Sequence, residues 1–262
     1  MIFSLHGLLS LFSIFSLSAK AVEIPKRLDS EDRREVVRTL GLNTSSKILS
    51  NPYPLGGYSG LEFGMEVEFV DVADLSRLGC QSTEPSCPNS TPTTQEELQY
   101  ARITVGKGLY KDIDFFVSFT PPFAKGINDF GGMVRWSFFQ AKFLPINISL
   151  VGHINRLRVN DQFISENLGG QIIAGINVDN FSLYFGGGYL RSEAQFLGGD
   201  TGSGTIDPND PLLNSNTNTI KDRVYSTHTL VGFSLHFDQI FTAIQFDRYR
   251  DAVVSAKLGL RL

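Results

Sequence analysis

Apolar and polar residues alternate one by one along most of this chain, in ten stretches separated by polar connections. The stretches are 55–72, 98–106, 111–120, 130–142, 146–158, 168–178, 180–192, 223–237, 239–248 and 252–262. In the first, Leu61, Phe63, Met65, Val67 and Phe69 share one side, and Glu62, Gly64, Glu66 and Glu68 share the other. A period of two belongs to an extended strand whose faces meet different surroundings, whereas a helix would scatter the three glutamates. The last stretch repeats the pattern, with Val254, Ala256, Leu258, Leu260 and Leu262 against Ser255, Lys257, Gly259 and Arg261.

The connections alternate as well. Those at 107–110, 143–145, 179 and 238 are tight, and those at 73–97, 121–129, 159–167 and 193–222 are long or polar; only 249–251 is short where a long loop is due. Long structureless loops are uncommon in compact soluble domains. The pattern therefore predicts an all-β fold, a closed antiparallel up-and-down barrel of about ten strands over 55–262, with unequal ends. No stretch after residue 21 is apolar for 18 residues, so if this chain crosses a membrane it does so as a closed transmembrane barrel rather than by a helix.

Residues ahead of the barrel differ in kind. Segment 1–21 holds an apolar run at 8–17 and the small-x-small site Ala19-Lys20-Ala21, which reads as a signal peptide too short to span a bilayer. Segment 22–54 reads as a periplasmic N-terminal extension with a short helix. Asp29 and Ser30 offer capping oxygens, Glu31 and Asp32 acidify the first turn, and Gly41 ends the helix. A plug or docking helix and a solvated leader are both open readings of it.

Composition narrows the partners. A formal net charge of −4 lacks the basic footprint of a nucleic-acid binder. The only cysteines, Cys80 and Cys87, sit in one polar loop and, in an exported chain, are read as a disulfide, since a metal centre would want four ligands.

On the alternation and the loop pattern, 55–262 resembles the small outer-membrane β-barrel proteins of Gram-negative bacteria. The last strand, through Val254, Ala256, Leu258, Leu260 and Leu262, is similar to that superfamily's assembly signal, although it ends in Leu instead of an aromatic residue. The resemblance implies the bacterial outer membrane as location. Its implied partners are lipid, lipopolysaccharide and the barrel-assembly machinery, with no cofactor and no metal. It implies a structural or surface-interaction role for a monomer with a narrow, side-chain-filled lumen; a small-solute channel is the alternative. Apolar positions should then face lipid, with Phe115, Phe119, Trp136, Phe138, Phe181, Phe185, Phe233 and Phe237 near the interfaces. A soluble lipocalin-like barrel would invert the faces.

Charges on the polar face pair on paper. A hairpin centred in 73–97 sets Glu68 opposite Arg102, and one centred in 121–129 sets Asp114 opposite Arg135. Glu62 and Glu66 would meet Lys257 and Arg261 where the first strand closes on the last. A structural ion network is the expectation, ahead of a selectivity filter of charged rings. His153, His228, His236 and Asp247 leave an outer-membrane hydrolase as a further alternative, but the chain contains no Gly-x-Ser-x-Gly or His-Glu-x-x-His to fix a catalytic geometry. The glycine runs 131–132, 169–170 and 186–188 lack the lysine of a phosphate loop and read as curvature.

Overall fold

The computed structural model describes residues 24–25, 28, 30–78, 96–110, 112–121, 126–160, 162–197 and 219–262. Segment 1–21 and the Cys80, Cys87 pair lie outside the described residues. Ten strands close into one barrel: β1 (Leu61–Asp71), β2 (Glu97–Gly108), β3 (Ile113–Phe119), β4 (Ile127–Gln140), β5 (Ile146–Val159), β6 (Phe163–Val178), β7 (Phe181–Leu197), β8 (Thr219–Phe237), β9 (Ile240–Arg248) and β10 (Ala252–Arg261). Each strand pairs antiparallel with its chain neighbours, and β1 closes on β10 with Leu61 and Leu262 exchanging backbone hydrogen bonds of 3.0 and 2.8 Å. Closure leaves no unpaired strand edge.

Strand ends depart from expectation chiefly at three places, one of them β6, which starts at Phe163 and not 168, so that the connection read as 159–167 shrinks to 160–162. β1 starts at Leu61 instead of 55, because Gly56 and Gly57 take φ of 96° and 71°, a left-handed turn that only glycine enters without strain. The β7–β8 hairpin runs further than the pattern shows, to Leu197 and back from Thr219. Tight turns at the other end use Asp112, Asp179 and Asp238 at positive φ, where a short polar side chain tolerates the left-handed region.

The two faces of the wall differ sharply. Inward positions carry Glu62, Glu66, Glu68, Arg102, Asp114, Asp129, Arg135 and Lys257, all buried. Outward positions carry large apolar side chains open to the surroundings, among them Phe115, Trp136, Phe138, Phe181, Phe185 and Phe237, the last 61% exposed. A register shift between Trp136 and Phe139 turns both Phe138 and Phe139 outward, as a bulge does.

Of the N-terminal extension, for which a plug and a solvated leader were both open, residues 36–54 lie inside the barrel, while Ser30, Glu31 and Arg34 ahead of them are exposed. Helix α1 (Ser30–Val36) and the π-helical turn Val37–Leu42 sit at the long-loop end, where Arg33 Nε donates to Asp222 Oδ2 at 2.6 Å and Ser45 Oγ shares a 2.5 Å hydrogen bond with Tyr249 Oη. The chain then descends the lumen to the short-turn end, where Arg135 donates to the Asn51 carbonyl at 2.7 Å and to that of Tyr53 at 3.0 Å. A helix of seven residues would not persist alone in water. It is held by packing: Val36, Val37, Leu40 and Leu42 form a buried apolar cluster with Val70, Leu98, Leu157, Leu190, Val224 and Val253 of the wall. A second cluster lower down joins Ile48 and Leu55 to Phe116, Met133, Val151, Ile173, Tyr184 and Leu230.

Small wall residues make room for this segment. A Cβ at Gly175 would stand 2.2 Å from Pro52, and one at Gly131 2.7 Å from Ser46. By contrast a Cβ at the outward Gly152 would meet nothing within 4 Å. Gly175→Val should therefore lower stability by about 1–3 kcal/mol through overpacking. Gly152→Val should change it by less than about 0.5 kcal/mol. Urea unfolding midpoints of the two refolded variants check this, and equal shifts would contradict the placement of Pro52 against β6.

Candidate functional site in the barrel lumen

The lumen is where this sequence concentrates its buried chemistry. Along β1 the inward positions are Glu62, Gly64, Glu66 and Glu68, and the opposite strands bring cations to them. Arg102 on β2 is 1% exposed and sits among three carboxylates: its Nη1 donates to Asp129 Oδ2 at 2.9 Å, its Nε lies 3.5 Å from Glu66 Oε2, and its Nη2 contacts Glu68. Glu68 Oε2 also accepts from Lys47 Nζ at 2.9 Å and from the Tyr100 hydroxyl at 2.7 Å. Thr104 donates to Glu66 at 2.6 Å. Lys47 belongs to the lumen segment, so chain and wall share one ionic cluster.

Two further groups lie toward the short-turn end. Asp114 Oδ2 accepts from both Arg135 Nε at 2.9 Å and Nη2 at 2.7 Å, and its Oδ1 accepts from the Leu55 amide at 3.0 Å. Lys257 on β10 donates to Glu62 at 3.0 Å and lies 3.4 Å from Glu66, while Ser50 donates to the other Glu62 oxygen at 2.6 Å. Arg261 meets no carboxylate at such range among the described residues; it donates to the carbonyls of Tyr53, at 2.9 Å, and Pro54.

The register of β1 against β2 differs from the one drawn from the sequence. Glu66 stands opposite Arg102 and Glu68 opposite Tyr100, a slip of two residues. A two-residue slip keeps every side chain on its own face, so alternation alone cannot detect it. Arg102 is long enough to reach Glu68 diagonally all the same. Asp114 stands directly opposite Arg135, Glu62 opposite Arg261 and Glu66 opposite Lys257. Sequence reasoning missed Asp129 and Lys47. Asp129 reads as the last residue of the 121–129 connection, and Lys47 gives no local signal, because its burial depends on where the N-terminal segment goes.

The residues that could have made a hydrolase form no hydrogen-bonded set among the described residues. His228 Nε2 and Gln171 Oε1 are 2.6 Å apart, and the His228 ring stacks on Tyr249. His236 stacks on Phe241, and Asp247 accepts both 2.9 Å bonds from Gln245. Among the described residues no hydrogen bond joins a histidine to a carboxylate. What the lumen can do chemically is hold charge: Glu62, Glu66, Glu68, Asp114, Asp129 and Asp247 are buried against Arg102, Arg135, Lys257 and Lys47. A cavity beside Lys47, lined by Ser46, Glu66, Thr104, Phe116, Ser118 and Met133, has a volume of ≈ 10 Å³. That is room for about one water.

No family model and no curated protein sequence matches the chain. Among solved structures it is similar to the N-terminal β-barrel domain of OprF from Pseudomonas aeruginosa, at 8% identity over 79% of this chain and 99% of that one, with a TM-score of 0.33. It is similar also to Ail, the attachment invasion locus protein of Yersinia pestis, at 9% identity over 78% and 97% with a TM-score of 0.29. Neisserial surface protein A is a third, at 10% identity over 78% and 94% with a TM-score of 0.27.

Removing one partner of a buried ion pair leaves an uncompensated charge, costing about 3–5 kcal/mol, while removing both is far milder. Asp114→Asn and Arg135→Met should each lower the urea midpoint, and the double variant should recover much of the loss. Strictly additive effects would show that the two do not interact. Arg102→Met, which removes a cation shared by three carboxylates and leaves Asp129 without a cation, should be more damaging than Arg135→Met, measured in the same way.

Proposed function

We propose that this chain is an outer-membrane β-barrel, sealed by its own N-terminal segment, that serves a structural or surface-interaction role through its long-loop end and is not a solute channel. The observation that carries the reading is the occupied lumen. Residues 36–54 run through it, with an apolar cluster at the long-loop end and ion pairs below. The outward wall supports the membrane location. Its large apolar side chains surround the barrel, far more exposed apolar surface than a soluble monomer leaves uncovered, while a network of charges is buried inside it. That arrangement is the reverse of a soluble ligand-binding barrel.

Neither a general acid and base pair nor an activated nucleophile is assembled among the described residues, so the reading does not include catalysis. Long loops of outer-membrane barrels face outward. By that geometry α1 lies on the outer side, and the turn at Gly57–Ser59 lies on the periplasmic side.

Three measurements check this. Refolded protein should show heat-modifiable gel mobility in detergent, and a monodisperse protein without detergent would overturn the membrane location. In planar bilayers it should give no discrete steps at moderate voltage; regular steps would overturn the sealed lumen. With Cys80 and Cys87 replaced by Ser, Arg34→Cys should react with an impermeant maleimide on intact cells, whereas Tyr58→Cys should react only after permeabilisation. The opposite pattern would reverse the orientation.

A further inference from the structure

The N-terminal segment crosses the barrel once, in one direction. Leu28 is buried and Ile24 packs on the same apolar cluster as Val36, Val37 and Leu40, so the chain ahead of α1 stays at the long-loop end. Arg33 ties it there, donating from Nη1 to the Leu28 carbonyl at 3.0 Å and from Nε to Asp222. Residues 46–49 form neither helix nor strand, and at Tyr53 the chain has reached the short-turn end, where Arg261 donates to its carbonyl at 2.9 Å. From Ser45 to Tyr53 an extended chain covers about 26 Å. The apolar band of an outer-membrane barrel is about 25 Å tall. The segment therefore spans the full height of the wall, with its amino-terminal side at the long loops and its carboxyl-terminal side at the tight turns.

Along this passage the wall holds mainly the main chain. Asn155 Nδ2 donates to the Thr44 carbonyl at 3.1 Å, Arg135 Nη1 to that of Asn51 at 2.7 Å and Ser149 Oγ to that of Pro52 at 3.4 Å. The Tyr53 carbonyl accepts from Arg135 and Arg261, that of Pro54 accepts from Arg261, and the Leu55 amide donates to Asp114. Among the described residues, side chains of the segment are hydrogen-bonded to the wall at Ser45, Lys47 and Ser50, through Tyr249, Glu68 and Glu62. Every polypeptide carries the same amides and carbonyls, so a wall that satisfies them accepts an extended chain with little regard to its sequence. The passage is closed to anything wider, since a Cβ at Gly131 or Gly175 would already collide with Ser46 or Pro52. Helix α1, about 10–12 Å across with its side chains, sits above it and stops the segment from slipping back. At the lower end β1 does the same.

We propose that the barrel is a display anchor: it carries its own N-terminal end out through the lumen and holds it at the cell surface, with residues 36–54 as the retained stem. The passenger it takes is an unfolded polypeptide joined to the chain ahead of Ile24, because the lumen admits one extended chain and grips it by the backbone. A chain that began on the periplasmic side and stayed there would enter β1 at Leu61 directly and leave the lumen to side chains of the wall. Display rests on the outer-membrane reading, in which the long loops face outward.

The test uses the full-length chain in cells, with a short peptide epitope inserted between Glu23 and Ile24 or, separately, between Phe143 and Leu144 in the exposed β4–β5 turn. Barrel formation is read by heat-modifiable mobility, and exposure by antibody binding to intact and permeabilised cells. The epitope ahead of Ile24 should bind as strongly on intact cells as on permeabilised ones, and external protease should remove it while the barrel stays heat-modifiable. The turn epitope should bind only after permeabilisation. Lengthening the N-terminal insert with a Gly/Ser-rich linker, which has no fold to obstruct passage, should leave display unchanged. Loss of display with the linker overturns the passenger role. Both epitopes hidden on intact cells, or both accessible, overturn the crossing and leave the barrel in the membrane. A hidden N-terminal epitope with an accessible turn epitope reverses the orientation and overturns display. Where an insert prevents barrel formation, Ser30→Cys and Phe143→Cys, with Cys80 and Cys87 replaced by Ser, are read in its place with an impermeant maleimide. A chain without inserts that shows no heat-modifiable mobility overturns the membrane reading and display together.

Discussion

Charge buried without water must find a partner inside the protein, and that constraint organises this barrel. Arg102 is buried among Glu66, Glu68 and Asp129, and Glu68 is in turn completed by Lys47 from the N-terminal segment. The buried carboxylates of the wall outnumber its buried cations, so the wall alone would leave negative charge uncompensated at high cost. The segment gains as much as it gives. Its carbonyls at Asn51, Tyr53 and Pro54 would be unsatisfied in the lumen without Arg135 and Arg261. Barrel and plug are thus one folding unit, and neither surface is complete without the other.

The two ends of the lumen combine apolar packing and directed bonds in different proportions. At the long-loop end, α1 and the turn after it seal by apolar packing against the upper ends of the strands. At the short-turn end, the same segment is held by guanidinium groups on carbonyl oxygens, which fix its position through directed bonds. Apolar packing tolerates sliding, whereas directed bonds do not, so the register of the segment is set by the bonds at both ends, Arg33 to Asp222 and Ser45 to Tyr249 above and Arg135 and Arg261 to carbonyl oxygens below.

Glycine plays opposite parts on the two faces of the wall. Inward, Gly131 and Gly175 are small because Ser46 and Pro52 occupy the space a side chain would need. Outward, Gly132, Gly152 and Gly170 face open space, so their size shapes the surface and not the core. One residue type, spread through the strands, thereby records both what lies inside the barrel and what the outside presents.

Strand number, closure, inward and outward faces and the unequal ends were legible in the sequence, because each follows from local periodicity and connection length. Phe115, Trp136, Phe138 and Phe181 face outward and Glu62, Glu66, Asp114 and Arg135 face inward for the reason their parity indicated. Parity stops there: it cannot distinguish registers two residues apart, which is why Glu68 proved to stand opposite Tyr100. The course of residues 30–54 was beyond any local signal, since a short helix followed by polar residues reads the same in water as in a lumen. Only the closed barrel decided it, by presenting that segment with an apolar rim and a set of unpaired charges at the spacing its own residues could meet.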